Sequence, residues 1–323
     1  MEQEMRFFGE EDFLPKMKSE VHTWLETSVE NGTFTAPDGT KRNYYRAVPG
    51  EMKAQVVILH GFCEFWGKYH EYAYYLYRAG YGVYFMEQYG HGYSEGKLPE
   101  PDVVHVPDYD VYVEDFKAFL DTVVGAKDPG MKRVLLAHSM GGAVATLFLE
   151  RYQEYFDRAL LSSPMLKMKS NLSPAAIFAF RLYATLLGKK KALAPSQSRF
   201  DGKPIFEESS TLSKARYDYL FDYRLQDPHY QTYGASIGWA LASFKANGML
   251  MKKADVIKIP VDLFTAGRDH LIDPLGYEEF VKRVPQTKVH AYEKSKHEIF
   301  NADDETRLQY FVDVFEALRQ YTK

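Results

Sequence analysis

At 323 residues, with 46% hydrophobic and 26% charged side chains, the chain has the composition of a globular protein and room for one large domain with an insertion, or for two domains. A formal net charge of −4 argues against nucleic acid as the main partner, because a phosphate backbone needs a basic face. The single cysteine, Cys63, excludes an internal disulfide and a multi-cysteine metal site and fits a reducing compartment.

The opening stretch, MEQEMRFFGEEDFLPKMKSE, is acidic and lacks the basic start and apolar centre of a secretory signal. To about residue 28 it reads as a helical arm. The Pro-Asp-Gly at 37–39 is a turn signal between two extended runs, 32–36 and 42–48. Alternation then sets in. Strands are expected at 56–59, 82–86, 133–137 and 158–162, with helices at 69–78, 109–124 and 141–152 between them. Strand and helix in strict succession predict a parallel sheet covered on both faces. The alternation breaks at Pro164 and resumes with a strand at 261–266, a helix at 276–283, a strand at 288–292 and a helix at 305–321. The expected organisation is therefore a core in two parts, 1–165 (with the arm, 1–30) and 256–323. Between them a helical cap, 166–255, is expected over the sheet's carboxyl edge, where open α/β sheets bind ligands.

Within this frame one turn stands out. Ala137-His138-Ser139-Met140-Gly141 joins an apolar strand directly to a helix. A serine on such a turn projects its hydroxyl from the sheet edge, and the residues two places away must be small because strand and helix backbones crowd there. The usual pattern is Gly-x-Ser-x-Gly, with Ala137 here replacing the first glycine. A serine hydroxyl needs a base, and the base an orienting acid. Asp269, in Gly267-Arg268-Asp269, and His297, in Lys294-Ser295-Lys296-His297, each follow a late strand and complete the order serine, acid, histidine. Asp273 is the rival acid. Glu298 is expected to point elsewhere, His138 to face away from the site, and His91 to brace its loop.

Acyl transfer also needs donors for the developing oxyanion. The backbone N–H of Met140, next to the serine, is one candidate. The other is the N–H of Phe62, in the sharp turn after His60-Gly61. Glu64, Trp66 and Lys68, further along that loop, are candidates for the alcohol or headgroup side of a substrate.

HGFCEFWGKY (60–69), EQYGHGYSEG (87–96), AHSMGG (137–142), GRDHLIDP (267–274) and KHEI (296–299) together resemble the α/β-hydrolases of the monoacylglycerol lipase and lysophospholipase group. KRVLLAHSMGGAVATLFLERY and, in the expected cap, residues 211–243 carry a closer similarity to bacterial membrane-associated lysophospholipases. The resemblance covers roughly residues 45–323. It implies an α/β-hydrolase fold with a mostly parallel eight-stranded sheet and a helical cap. It further implies hydrolysis of the single fatty-acyl ester of a lysophospholipid or a monoglyceride, with no metal and no organic cofactor, and it lays the family's triad on Ser139, Asp269 and His297. Two departures stand out. Tyr89 occupies the usual arginine position of the Gly-His-Gly loop, with Glu87 and Gln88 altering its usual Asp. Phe300 stands where glyceride lipases often carry a second histidine.

In the expected cap, residues 173–188 read as one helix, with Ser173 as N-cap, Pro174 as first residue and Gly188 as stop. It is apolar almost all round and, at about 1.5 Å per residue, about 21 Å long, too short to span a bilayer. With Lys189, Lys190 and Lys191 directly behind it, it is either a buried helix or one that meets an acyl chain or an anionic lipid surface. Trp239, Tyr217 and Asp227 are expected to brace the cap. No run of 18 uncharged apolar residues occurs, so a cytoplasmic location is expected, with peripheral contact at the inner face of the membrane left open. The competing readings are a general carboxylesterase, an acyltransferase and a non-catalytic lipid-binding or partner-binding module. The sequence leaves oligomeric state and the reactivity of Cys63 open.

Overall fold

A computed structural model describes residues 6–126 and 130–321; the first five residues of the arm lie outside the described residues. Eight strands form one sheet: β1 (Glu30–Thr35), β2 (Lys41–Ala47), β3 (Ala54–Leu59), β4 (Tyr81–Met86), β5 (Arg133–His138), β6 (Arg158–Ser162), β7 (Val261–Ala266) and β8 (Thr287–Tyr292). Their spatial order is β1-β2-β4-β3-β5-β6-β7-β8. β1 and β2 are antiparallel at one edge, and every pairing from β4 to β8 is parallel. The central strands are buried along their whole length, which is why they read as unbroken apolar runs and not as an alternation. The side chains alternate between two cores, with Val57, Leu59, Leu135 and Ala137 on one face and Val56, Ile58, Val134 and Leu136 on the other.

The expected helices are present, with differences at their ends. The arm is helical over 10–28, with a wider π-type turn at Met17–Val21. A similar turn, Leu120–Val124, ends the helix that begins at Tyr109. Between β6 and β7 lie helices Pro174–Leu186, Lys214–Gln226 and Ile237–Leu250. Within this stretch, read from the sequence as a helical cap, Gly234–Ala235 pairs in parallel with Val103–Val104, a bridge too short to leave a periodic signal.

These three helices do not share one core. Trp239, Ala242, Ala246 and Leu250 join the cluster on one face of the sheet, and Tyr219 joins that on the other. Pro174–Leu186 instead leans on a small cluster of its own, formed by Ala184, Ala194, Ile237 and Leu241. Phe178, Leu182, Tyr183 and Leu186 on that helix are exposed, Leu186 at 73%. No helix among the described residues is long and apolar enough to cross a membrane.

Candidate active site

The serine turn carries measurable strain. Ser139 has φ 52° and ψ −119°, in a region that L-residues rarely occupy. Its N–H donates to the Ser162 carbonyl at 3.1 Å, and its carbonyl accepts from Gly142 and Met165, so both sides of the residue are held. The small neighbours follow from close packing. A Cβ on Gly141 would stand 2.3 Å from the Leu59 carbonyl oxygen, and one on Gly142 would stand 2.4 Å from the Pro164 side chain. Met140 opens the helix Met140–Tyr152, so its N–H has no acceptor within that helix.

Asp269 and His297 are brought together from the ends of β7 and β8. Oδ2 of Asp269 lies 2.6 Å from Nδ1 of His297, and Oδ1 accepts the N–H groups of Leu271 and Ile272 at 2.8 and 3.1 Å. Burial pushes the Asp269 carboxyl up. The hydrogen bond and charge interaction with His297, aided by those two N–H groups, outweigh it and hold Asp269 below its ordinary value. Asp273 is turned away and pairs with Lys167 at 2.7 Å. Nε2 of His297 is buried and makes no hydrogen bond among the described residues. An Nδ1–H committed to Asp269 leaves the Nε2 lone pair free to take a proton.

The loop after β3 is fixed by histidine. Nε2 of His60 accepts the Gln88 N–H at 2.9 Å, so the ring proton sits on Nδ1 and donates to the Gly61 carbonyl at 2.7 Å. Burial pushes His60 down to about 4, which keeps it neutral. The peptide between Gly61 and Phe62 is trans, so with its carbonyl turned to His60 the Phe62 N–H points the other way. That N–H donates to no acceptor among the described residues. His91 sits behind the same loop, with Nε2 accepting the Cys63 N–H at 3.2 Å. The thiol of Cys63 is pushed up to about 12 by burial, so it is not a thiolate at neutral pH.

Glu64, Trp66 and Lys68, the candidates for the alcohol or headgroup side of a substrate, are partnered inside the protein. Glu64 accepts the Gly61 N–H (2.5 Å), Lys68 Nζ (2.7 Å), the Tyr69 hydroxyl (2.7 Å) and His138 Nδ1 (2.9 Å). Lys68 also bridges to Glu298 at 2.6 Å. Burial alone would raise Glu64, but the interactions with His138 and Lys68 hold it well below its ordinary value. Trp66 is buried and stacks on Tyr45 at 5.0 Å. Both charges are therefore buried and paired within the protein. His138 also differs from expectation. Its ring lies against that of His297, centroids 5.0 Å apart, with Nδ1 hydrogen-bonded to Glu64. Glu298 points to Lys68, away from Asp269.

Of the three residues expected to brace the cap, Trp239 also reaches the edge of the site, whereas Tyr217 and Asp227 make bracing contacts. The Trp239 ring packs on Phe62, centroids 4.1 Å apart. Tyr217 accepts the Ile205 N–H, and Asp227 caps the short turn Pro228–Tyr230 and accepts the Tyr93 hydroxyl. Among the described residues no group of three or more His, Cys, Asp or Glu side chains is arranged to hold a metal.

The chain matches the family described as serine aminopeptidase, S33, over residues 50–304. It is 28% identical to a monoacylglycerol lipase of Mycolicibacterium smegmatis over 258 residues, 79% of this chain and 85% of that protein. To lysophospholipase L2 of Escherichia coli K12 it is 28% identical over 255 residues, 78% of this chain and 74% of the other. A monoglyceride lipase of Saccharomyces cerevisiae, solved in complex with a substrate analogue, superimposes with a TM-score of 0.71 at 19% identity, covering 92% of this chain and 96% of the other, a likeness of fold. The sheet order, the strained serine between β5 and its helix, and these matches agree: the chain is an α/β-hydrolase of the monoacylglycerol lipase and lysophospholipase group and belongs to the serine aminopeptidase S33 family.

Proposed function

We propose that the chain hydrolyses the single fatty-acyl ester of a lysophospholipid through an acyl-enzyme on Ser139. The observation that carries the reading is the Asp269–His297 hydrogen bond of 2.6 Å with Nε2 of His297 left free, ring to ring with the residue that precedes Ser139. Nε2 takes the proton as Ser139 Oγ attacks the ester carbonyl. Asp269 holds the tautomer that makes this possible and stabilises the imidazolium. The N–H groups of Phe62 and Met140 receive the oxyanion. The imidazolium then protonates the leaving alcohol, and water repeats the sequence to release the fatty acid. A monoacylglycerol is the second reading, favoured by the equal identity to the lipase named for that substrate.

The exposed apolar face of Pro174–Leu186, with Lys189, Lys190 and Lys191 exposed beside it, supports peripheral contact with an anionic lipid surface, where such substrates reside. The segment 166–255 then serves as a cap, as the resemblance implies. The test is fatty-acid release from palmitoyl-lysophosphatidylcholine and from monopalmitoylglycerol by wild type and Ser139→Ala. Release by wild type, with a loss of roughly 10^4-fold or more in the variant, is expected. Preference between the two lipids decides the substrate, and comparable release by Ser139→Ala would sink the mechanism.

A further inference from the structure

The loop that presents the Phe62 N–H is gripped from two sides. On the core side Glu64 and His91 hold it, as described above. On the other side, three residues of the insertion each take one residue of the loop. Trp239 packs on Phe62, Arg224 Nη2 donates to the Cys63 carbonyl at 2.8 Å, and Tyr230 stacks on Phe65 with centroids 4.3 Å apart.

The middle contact falls where the backbone needs it. Cys63 has φ 57°, in the left-handed region that a non-glycine residue occupies at a cost of about 1–3 kcal/mol. A residue stays there only when its peptide groups are tied. The Cys63 N–H is tied to His91 and its carbonyl to Arg224. Relaxation of Cys63 toward an ordinary φ would rotate the peptide that joins it to Phe62 and displace Phe62, whose own N–H lies one peptide further back, in the Gly61–Phe62 peptide that His60 holds from the other side.

Arg224 is itself held in place. It lies near the end of helix Lys214–Gln226, and the other end of that helix is locked into the core. Arg216 makes two hydrogen bonds to Glu71, at 2.8 and 2.7 Å, and Arg307 meets the same carboxylate at 2.6 Å. Glu10 of the arm accepts the Ala215 N–H at 2.7 Å, and the Tyr219 hydroxyl meets His70 Nδ1 at 2.8 Å. Eight residues of helix, about 12 Å, carry this anchorage to Arg224.

We propose that Arg224 is a positioning residue for the reaction: from the insertion, it holds Cys63 in its left-handed conformation and thereby aims the Phe62 N–H at the oxyanion. This rests on the acyl-transfer reading above. In consequence the helix Lys214–Gln226 belongs functionally to the catalytic floor, and the arm contributes to oxyanion stabilisation through it.

The test compares wild type, Arg224→Met and Arg224→Lys on p-nitrophenyl butyrate, with inhibition by an alkyl trifluoromethyl ketone, whose serine adduct places a charged oxygen where the oxyanion forms. Arg224→Met is expected to lower kcat about tenfold, less than the roughly 100- to 1000-fold cost of deleting a donor outright, with KM within about twofold. Inhibitor affinity should fall by the same factor as kcat/KM. Arg224→Lys, which can still donate to the carbonyl, should recover most of the loss. Endpoint labelling of Ser139 by a fluorophosphonate counts the folded enzyme, and Arg224→Leu, which likewise cannot donate, carries the same test if Arg224→Met does not fold. Unchanged trifluoromethyl ketone affinity overturns the proposal whichever way kcat moves, as does a loss confined to KM. A wild type that turns over no ester overturns the acyl-transfer reading beneath it.

Discussion

Nδ1 of His138 stands 2.9 Å from Oε1 of Glu64, while the His138 ring lies against that of His297. One carboxylate is thereby joined to three loops. It reaches the Gly61 N–H directly, the serine turn through His138, and the histidine loop through Lys68 and Glu298. Removing it leaves Lys68 with one of its two carboxylates and three other donors unsatisfied. Glu64→Ala is expected to destabilise the fold by about 3–5 kcal/mol, the usual cost of breaking a buried pair by deleting one partner. Urea unfolding measures it, and a loss under about 1 kcal/mol would show the network to be ornamental.

The same group gives a pH dependence of known sign. Glu64 is held well below its ordinary value, so its contribution is complete above the unfolded carboxyl range and fades as pH falls toward its low folded value. Wild type should lose stability below about pH 4.5, and Glu64→Gln should lose less over that range.

Asp269 and Asp273 lie four residues apart, yet only Asp269 meets His297; Asp273 is bound to Lys167. Asp269→Asn should lower kcat by roughly 10^4-fold, because an amide allows the wrong imidazole tautomer. Asp273→Asn should stay within about threefold of wild type, since removing an ion pair at the surface costs about 0–1 kcal/mol. Equal losses in the two variants would contradict the geometry.

Glu87 is buried, with Oε2 accepting from Tyr93 N and Asn43 Nδ2. Burial pushes it up to about 7. The folded protein therefore keeps a proton that the unfolded chain releases above about 4.3, and this group's contribution declines as pH rises from there to about 7. Glu87→Gln should flatten the difference in unfolding free energy between pH 5 and pH 8 by about 3 kcal/mol. Identical pH profiles for variant and wild type would refute it.

Two glycines in helices should respond oppositely to alanine. A Cβ on Gly141 meets the backbone of β3, whereas one on Gly248 meets nothing within 4 Å. Gly141→Ala is expected to cost about 3 kcal/mol or to prevent folding, and Gly248→Ala to add about 0.4–1 kcal/mol. Thermal melts of both decide the matter.

Charge reversal at Lys189, Lys190 and Lys191 should weaken binding to vesicles rich in phosphatidylserine by at least about 3 kcal/mol, at about 1 kcal/mol per charge. Hydrolysis of a soluble short-chain ester should not change. Vesicle co-sedimentation with equal recovery of both proteins would remove the membrane from the picture.

The sheet was legible because its central strands are buried on both faces and bounded by turn residues, and the serine turn because crowding between Leu59 and Gly141 tolerates almost nothing else. The candidate acid and base were chosen by chain order and strand ends, Asp269 ahead of Asp273, and the structure pairs Asp269 with His297 and Asp273 with Lys167. What sequence reading misplaced were charges. Glu64 and Lys68 were read as candidates for the alcohol or headgroup side of a substrate, yet their i,i+4 spacing inside an aromatic stretch was the available sign of an internal pair. Arg224 gave no local signal at all, since its partner is a main-chain carbonyl 161 residues away.

The attachment of Pro174–Leu186 sets the kinetics of its own backbone. Its apolar contacts are few and largely separate from those of the sheet, whereas Ile237–Leu250 packs mainly into the main core. Amide protons of the first helix should then exchange with deuterated solvent by local opening, at rates indifferent to global stability. Those of the second, on the same insertion, should exchange only when the sheet itself comes apart. Two helices of one segment would thus report on different events, and a single deuteration time course resolves the insertion into a part that breathes and a part that does not.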